Sequence, residues 1–148
     1  SQGGNMKSLF NLLIIMSMLF VAEEHEIKML NFSESGPMVF EPGFLRIEPG
    51  DTVIFKPVDL AHNTETISTM IPDGGQEWLG NINEEVRVTL TTEGVYVYQC
   101  TPHLILGMVG VIQVGKPSNL NEVIEASSNM TFAVNSERLS NYLGQVIQ

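Results

Sequence analysis

The stretch YQCTPHLILGM, residues 98–108, holds three side chains with electron pairs a soft metal ion can use: the Cys100 thiol, the His103 imidazole and the Met108 thioether. Together these donors select copper, whereas zinc is served by Cys and His and has no use for a thioether. A trigonal copper site takes two imidazoles and a thiolate, with methionine as a weak axial ligand, so one imidazole is still missing. The chain has three histidines, which leaves His25 or His62. His62 follows the apolar run DTVIFKP and comes from a distant part of the sequence, as a ligand should if the metal is to cross-link the fold. His25 reads as a solvated histidine near the start of the mature chain. Asn63, beside His62, is placed to tie the two ligand-bearing loops together, and Pro102 lacks an N–H that could otherwise reach the thiolate. Each residue also has a plainer reading. A lone cysteine can be a small buried hydrophobe, and with 8 Met in the chain one falling near a histidine is unremarkable.

Elements must exist to hold these groups in place. EIKML, FLRI, DTVIFKP, VRVTLT, VYVYQ and VGVIQV are short runs rich in β-branched and aromatic residues, separated by the turn signals EPG, PDGG and TEG. In VRVTLT the residues Val86, Val88 and Leu90 alternate with Arg87, Thr89 and Thr91, which predicts a strand with one wet face. Short strands at this spacing suggest a β-sandwich or barrel over residues 23–116. Cys100 ends one strand and Met108 precedes the next, so the turn between them can aim all three ligands at one point. After Lys116-Pro117 the pattern becomes helical. Asn119 with Glu122 predicts a capping box, and a second cap at Asn135 or Ser136 opens a segment whose apolar stripe is Leu139, Tyr142, Leu143, Val146 and Ile147. Residues 117–148 are therefore expected to form a helical extension packed on the sandwich.

The chain has 148 residues, 43% of them hydrophobic, and a formal net charge of -10. That charge excludes nucleic acid, whose recognition needs Lys and Arg on the phosphates, and disfavours anionic lipid. SQGGN (residues 1–5) reads as an expression scar. Residues 6–22, with Lys7 before the apolar run LFNLLIIMSMLFV, read as a secretory signal too short to span a bilayer. Export places the mature domain where thiols oxidise, and a single cysteine there can make no internal disulfide.

His62-Asn63, then Cys100-Thr-Pro-His103 and Met108, resembles the cupredoxin family of type 1 blue copper proteins. MVFEP, PGDTV, MIPDG, CTPH and GMVGVIQVG carry the resemblance, which runs from about Glu26 to the end of the chain. It implies a mainly β fold, an eight-stranded Greek-key β-sandwich with two C-terminal α-helices. It also implies one copper ion per chain cycling between Cu(I) and Cu(II), and a monomeric periplasmic electron carrier rather than an enzyme. The ligands would be His62, Cys100, His103 and Met108. The expected partners are transient redox proteins, a reductase such as nitrite reductase or a cytochrome c, with no stable membrane association once the leader is removed. The resemblance adds Met38 and Leu60 to Leu104, Ile105 and Leu106 as an apolar docking patch around His103. One departure stands out: Leu60, Leu79, Asn81 and Gln99 occupy places where related carriers often have lysine. Two other classes fit the residues less well. A copper enzyme needs a second metal site, for which only His25 remains. A storage or delivery protein favours clustered methionines, and here they are scattered.

Overall fold

The computed structural model describes residues 1, 15, 17 and 19–148; the expected leader, residues 6–22, falls mainly outside them. Eight strands and two helices follow in order: β1 (Glu24–Ser33), β2 (Gly36–Glu41), β3 (Phe44–Ile47), β4 (Thr52–Lys56), β5 (Glu65–Thr66), β6 (Val86–Thr89), β7 (Gly94–Gln99), β8 (Val109–Val114), α1 (Leu120–Ser128) and α2 (Arg138–Leu143). They form two four-stranded sheets, β2-β1-β4-β6 and β3-β8-β7-β5. β1 with β4 and β3 with β8 are parallel pairs, and the remaining neighbours are antiparallel. The residue patterns alone revealed six of these strands. β2 opens on Gly36 and Pro37, and β5 is only two residues long.

The cores follow from strand alternation. In β7 Tyr96 and Tyr98 point between the sheets, while Val95 and Val97 point out to the helices. Both faces of β7 and β8 are therefore covered, which is why these two strands read as continuous apolar runs. Between the sheets, Tyr98 meets Phe40 and Phe55 edge to face at ring separations of 4.7 and 5.0 Å. Such pairs add about 0.5–1.5 kcal/mol each beyond burial. Gly110 makes room for this: a Cβ there would lie 2.2 Å from the Tyr98 ring and hydroxyl. In β6 Val86, Val88 and Leu90 face inward and Arg87 and Thr89 outward, as the alternation predicts.

On the outer face, Leu120 and Val123 of α1 and Leu139 and Leu143 of α2 cover Val95, Val97, Val109 and Val111. The helix starts differ from expectation. Asn119 does not cap α1; its side chain instead receives the Val95 N–H at 2.7 Å and donates to the Val95 carbonyl at 2.9 Å. A side-chain amide can satisfy a strand as readily as a helix end, and here the strand takes it. α2 begins at Arg138 and ends at Leu143, so the stripe stops short of Ile147, which is exposed. The backbone of Ile147 is held instead by the buried Gln113 amide, at 2.7 and 2.9 Å.

Candidate metal centre

Cys100 closes β7 in an extended conformation, and a 3₁₀ turn over Thr101–Leu106 follows at once. Pro102 in the first positions of that turn presets its φ, and Gly107 ends it in the left-handed region at φ 77°. A 3₁₀ turn has three residues per turn, so side chains three apart eclipse. That places Cys100 and His103 on one side, with Sγ 3.3 Å from Nδ1. The loop is closed by the Cys100 N–H donating to the Met108 carbonyl at 3.0 Å and the Met108 N–H donating to the His103 carbonyl at 3.2 Å.

His62 arrives from the loop after β4. Asn83 holds that loop by accepting the Ala61 N–H at 2.7 Å and donating its own N–H to the His62 carbonyl at 2.8 Å. The ring is fully buried, with Nδ1 3.2 Å from His103 Nδ1 and 3.7 Å from Cys100 Sγ. Its other nitrogen, Nε2, lies 2.7 Å from Asn31 Oδ1. An amide oxygen can only accept, so Nε2 carries the proton and Nδ1 presents a lone pair. The donor atoms of His62, Cys100 and His103 all lie within 4.8 Å of one another. Met108 is fully buried and packs in the same core as Cys100. His25 is elsewhere, 3.0 Å from Asp51, which settles the choice of second imidazole in favour of His62.

Burial and the neighbouring His103 hold His62 below the usual imidazole range, with Asp59 opposing. Burial pushes the Cys100 thiol up, while the backbone N–H groups of Asn63 and His103 pull the other way. Asn63 therefore acts on the sulfur through its main chain. Its side chain ties the loops together, accepting the Thr101 N–H at 2.6 Å and donating to Thr101 Oγ1 at 2.8 Å. Pro102 is exposed on the turn.

The expected docking residues divide. Leu60 and Ile105 are 69% and 54% exposed. Leu106 is half-buried, Leu104 leans on the helical core and Met38 packs against the core between the sheets. Leu79, 71% exposed, extends the apolar surface.

Two polar residues near the centre were not legible beforehand. Asn31 reaches His62 across a separation of 31 residues. Glu65 accepts from Thr101 Oγ1 at 2.7 Å, one residue from Cys100. Neither stands in a local motif, and only strand pairing brings them there.

An N₂S donor set with a buried methionine beside it is the chemistry of copper. The sequence matches the plastocyanin/azurin family of copper binding proteins over residues 27–115. It is 50% identical over 101 residues to the pseudoazurin of Paracoccus pantotrophus, covering 68% of this chain and 70% of that protein. The chain belongs to the pseudoazurin branch of the plastocyanin/azurin family. The pseudoazurin of Methylorubrum extorquens is 41% identical over 109 residues, covering 73% of this chain and 74% of that one. The crystal structure of native pseudoazurin from Hyphomicrobium denitrificans superposes with a TM-score of 0.78 at 39% identity, over 84% of this chain and 99% of that one. Pseudoazurins are copper-dependent electron carriers, not enzymes, and His62, Cys100, His103 and Met108 of this chain have the arrangement of a type 1 copper site.

Proposed function

We propose that this chain is an exported, monomeric carrier that passes single electrons between periplasmic redox proteins and donates to a terminal reductase such as nitrite reductase. The observation that carries the reading is the convergence of His62 Nδ1, Cys100 Sγ and His103 Nδ1 within 4.8 Å. Copper bound there supplies the one-electron cycle between Cu(I) and Cu(II). Cys100, as thiolate, and the Nδ1 atoms of His62 and His103 would hold the ion, with the Met108 thioether as a weaker fourth donor. The main-chain N–H of Asn63 stabilises the sulfur's charge, and Pro102 withholds a further donor. Asn31 and Asn63 keep the rings and loops from moving as the charge changes, which keeps reorganisation small.

Leader removal fits the described residues. Leu19, Phe20 and Val21 are all more than 60% exposed and belong to neither core cluster, whereas β1 starts at Glu24. The sandwich over residues 23–116 and its helical extension over residues 117–148 then form the mature carrier.

His103 is the half-buried ligand, so electrons leave along its edge, through the patch of Leu60, Ile105 and Leu106, with Leu104 and Met38 supporting it from beneath. Small apolar contacts suit brief encounters. The charges near this face are acidic. Glu65 bonds Thr101 and Asp59 bonds the Asn31 N–H. Most of the cations lie elsewhere: Lys56 pairs with Glu85 at 2.6 Å and Arg87 with Glu24, Arg46 and Lys116 lie near the Gly115 end of β8, and Arg138 is buried, while Lys28 is exposed in β1 opposite Glu41 and Lys56. The matching partner therefore presents a neutral or basic face, as a cytochrome c or a basic reductase would. Stopped-flow electron transfer against ionic strength tests this. A basic acceptor should react faster at low salt and slow as salt is added, and Leu106→Asp should weaken transfer to any acceptor. An acidic acceptor that slows with added salt would overturn the partner's charge.

A further inference from the structure

Three successive carbonyls of the ligand turn, those of Ile105, Leu106 and Gly107, are each taken by a donor from residues 133–138 of the C-terminal extension. The Ala133 N–H donates to Ile105 at 2.8 Å, Asn135 Nδ2 to Leu106 at 3.0 Å and Arg138 Nη1 to Gly107 at 3.1 Å. The end of a helical turn leaves its carbonyls without partners inside the turn; these donors fill them, and the Gly107 carbonyl accepts the Val109 N–H as well, at 3.0 Å. The fit is close: a Cβ on Gly107 would stand 3.0 Å from the Asn135 Cβ and 3.2 Å from the Val134 and Asn135 carbonyl oxygens.

Arg138 does more than fill one carbonyl. Nη1 also donates to Met38 at 2.8 Å, and Nη2 to Pro37 at 3.0 Å and Ser35 at 3.3 Å. The guanidinium thus joins the β1–β2 hairpin, the ligand turn and α2 at one point. It is only 8% exposed, and among the described residues no carboxylate is paired with it. A buried charge without a counter-ion is costly, and here it is met only by main-chain dipoles. Lysine could keep the charge but not the planar fork that reaches four carbonyls.

The placement matters because of what the Gly107 carbonyl belongs to. It lies in the peptide plane that also contains the Met108 N–H and Cα, and that plane is rigid. Holding the carbonyl holds the backbone from which the Met108 side chain projects. We propose that Arg138, assisted by Asn135, is a positioning residue that sets the reach of Met108 toward the metal, so that the C-terminal extension tunes the colour and potential of the copper site. The proposal rests on Met108 being the axial ligand.

The test uses Arg138→Met, Arg138→Lys, Asn135→Gly and Met108→Gln in the full chain. Asn135 has φ 54°, so glycine removes its amide without strain. In the metal-free protein, amide exchange at Gly107 and Met108 should quicken about tenfold or more in Arg138→Met, as befits loss of a charge-assisted bond, while β4 amides stay unchanged. In the copper form, Arg138→Met and Arg138→Lys should both shift the ratio of the visible bands and the potential, and Asn135→Gly should do so less. If Arg138→Met does not fold, Asn135→Gly carries the same readouts. Wild-type exchange, spectrum and potential in every folded Arg138 and Asn135 variant would overturn the proposal. So would full rescue by Arg138→Lys, which would make the role one of charge alone. If Met108→Gln shifts the spectrum and the Arg138 and Asn135 variants do not, only the positioning role falls. If Met108→Gln also leaves the spectrum unchanged, the axial assignment falls with it.

Discussion

β1 begins beside Asp51 and ends beside His62, and the two ends of the sandwich treat a buried polar group in opposite ways. Asp51 is 3% exposed, and its carboxylate is filled by the N–H groups of Glu23 at 2.9 Å and Glu48 at 3.1 Å and by His25 Nε2 at 3.0 Å. Every lone pair that points inward meets a proton. At the other end His62 has one nitrogen satisfied by Asn31, and its second faces His103 Nδ1 and Cys100 Sγ. There three atoms able to offer electron pairs crowd together, with no carboxylate among them. The contrast separates a structural polar cluster from a site built for a cation: the first is complete within the protein, and the second is completed only by a proton or a metal.

Breaking the second end should have the largest effect. Cys100→Ala should abolish the intense visible absorption of the copper protein entirely, because no other sulfur in the chain can ionise; retained colour would mean the metal sits elsewhere. In the native protein burial keeps the metal-free thiol protonated at neutral pH, so copper binding must expel that proton. Affinity should therefore weaken as pH falls.

Asn31→Leu sharpens the comparison by leaving His62 Nε2–H without an acceptor. Loss of such an orienting partner typically costs about 10–100-fold in metal affinity. Competition with a chelator would measure it, with the prediction that the β-sandwich still folds and the spectrum shifts.

At the first end, Asp51→Asn should leave the copper spectrum untouched and cost roughly 2 kcal/mol of stability, since the amide would set a donor against the Glu48 N–H. The pH dependence follows from its titration. Burial by itself raises the Asp51 pKa, but the Glu23 N–H, His25 and the Glu48 N–H together hold it below its usual value. Its stabilisation is thus fully present above the unfolded value of about 3.9 and disappears as pH falls through the lower folded value. Urea melts should show a gap between wild type and variant that narrows below about pH 4. A gap that widens below about pH 4 would contradict the assignment.

The smallest effect is expected from Tyr98→Phe. Among the described residues the Tyr98 hydroxyl is the one buried side-chain polar atom without a hydrogen-bond partner. Its removal should be neutral or stabilising by up to about 1 kcal/mol in the same melts.

The candidate ligands were readable because their geometry is local: a cysteine at a strand end, a proline to start a tight turn and a histidine three residues on leave little choice of direction. His62 could be preferred over His25 from its place after a strong strand. The supports were not readable, because each depends on pairing between distant segments. Asn31 faces His62 only through the β1–β4 register, and Arg138 in SERLSN looks like an ordinary surface residue of an amphipathic helix. Asn119 misled for a related reason. Its side chain suits a helix cap, but β7 passes close enough to use it first.

The most direct measurement is a titration of the metal-free mature protein with Cu(II), followed by visible absorption and then by one-electron reduction and reoxidation. One site made by His62, Cys100, His103 and Met108 predicts an intense band that saturates at one equivalent, bleaches on adding one electron and returns in full on reoxidation. Saturation at more than one equivalent, or a bound copper without the intense band, would contradict it.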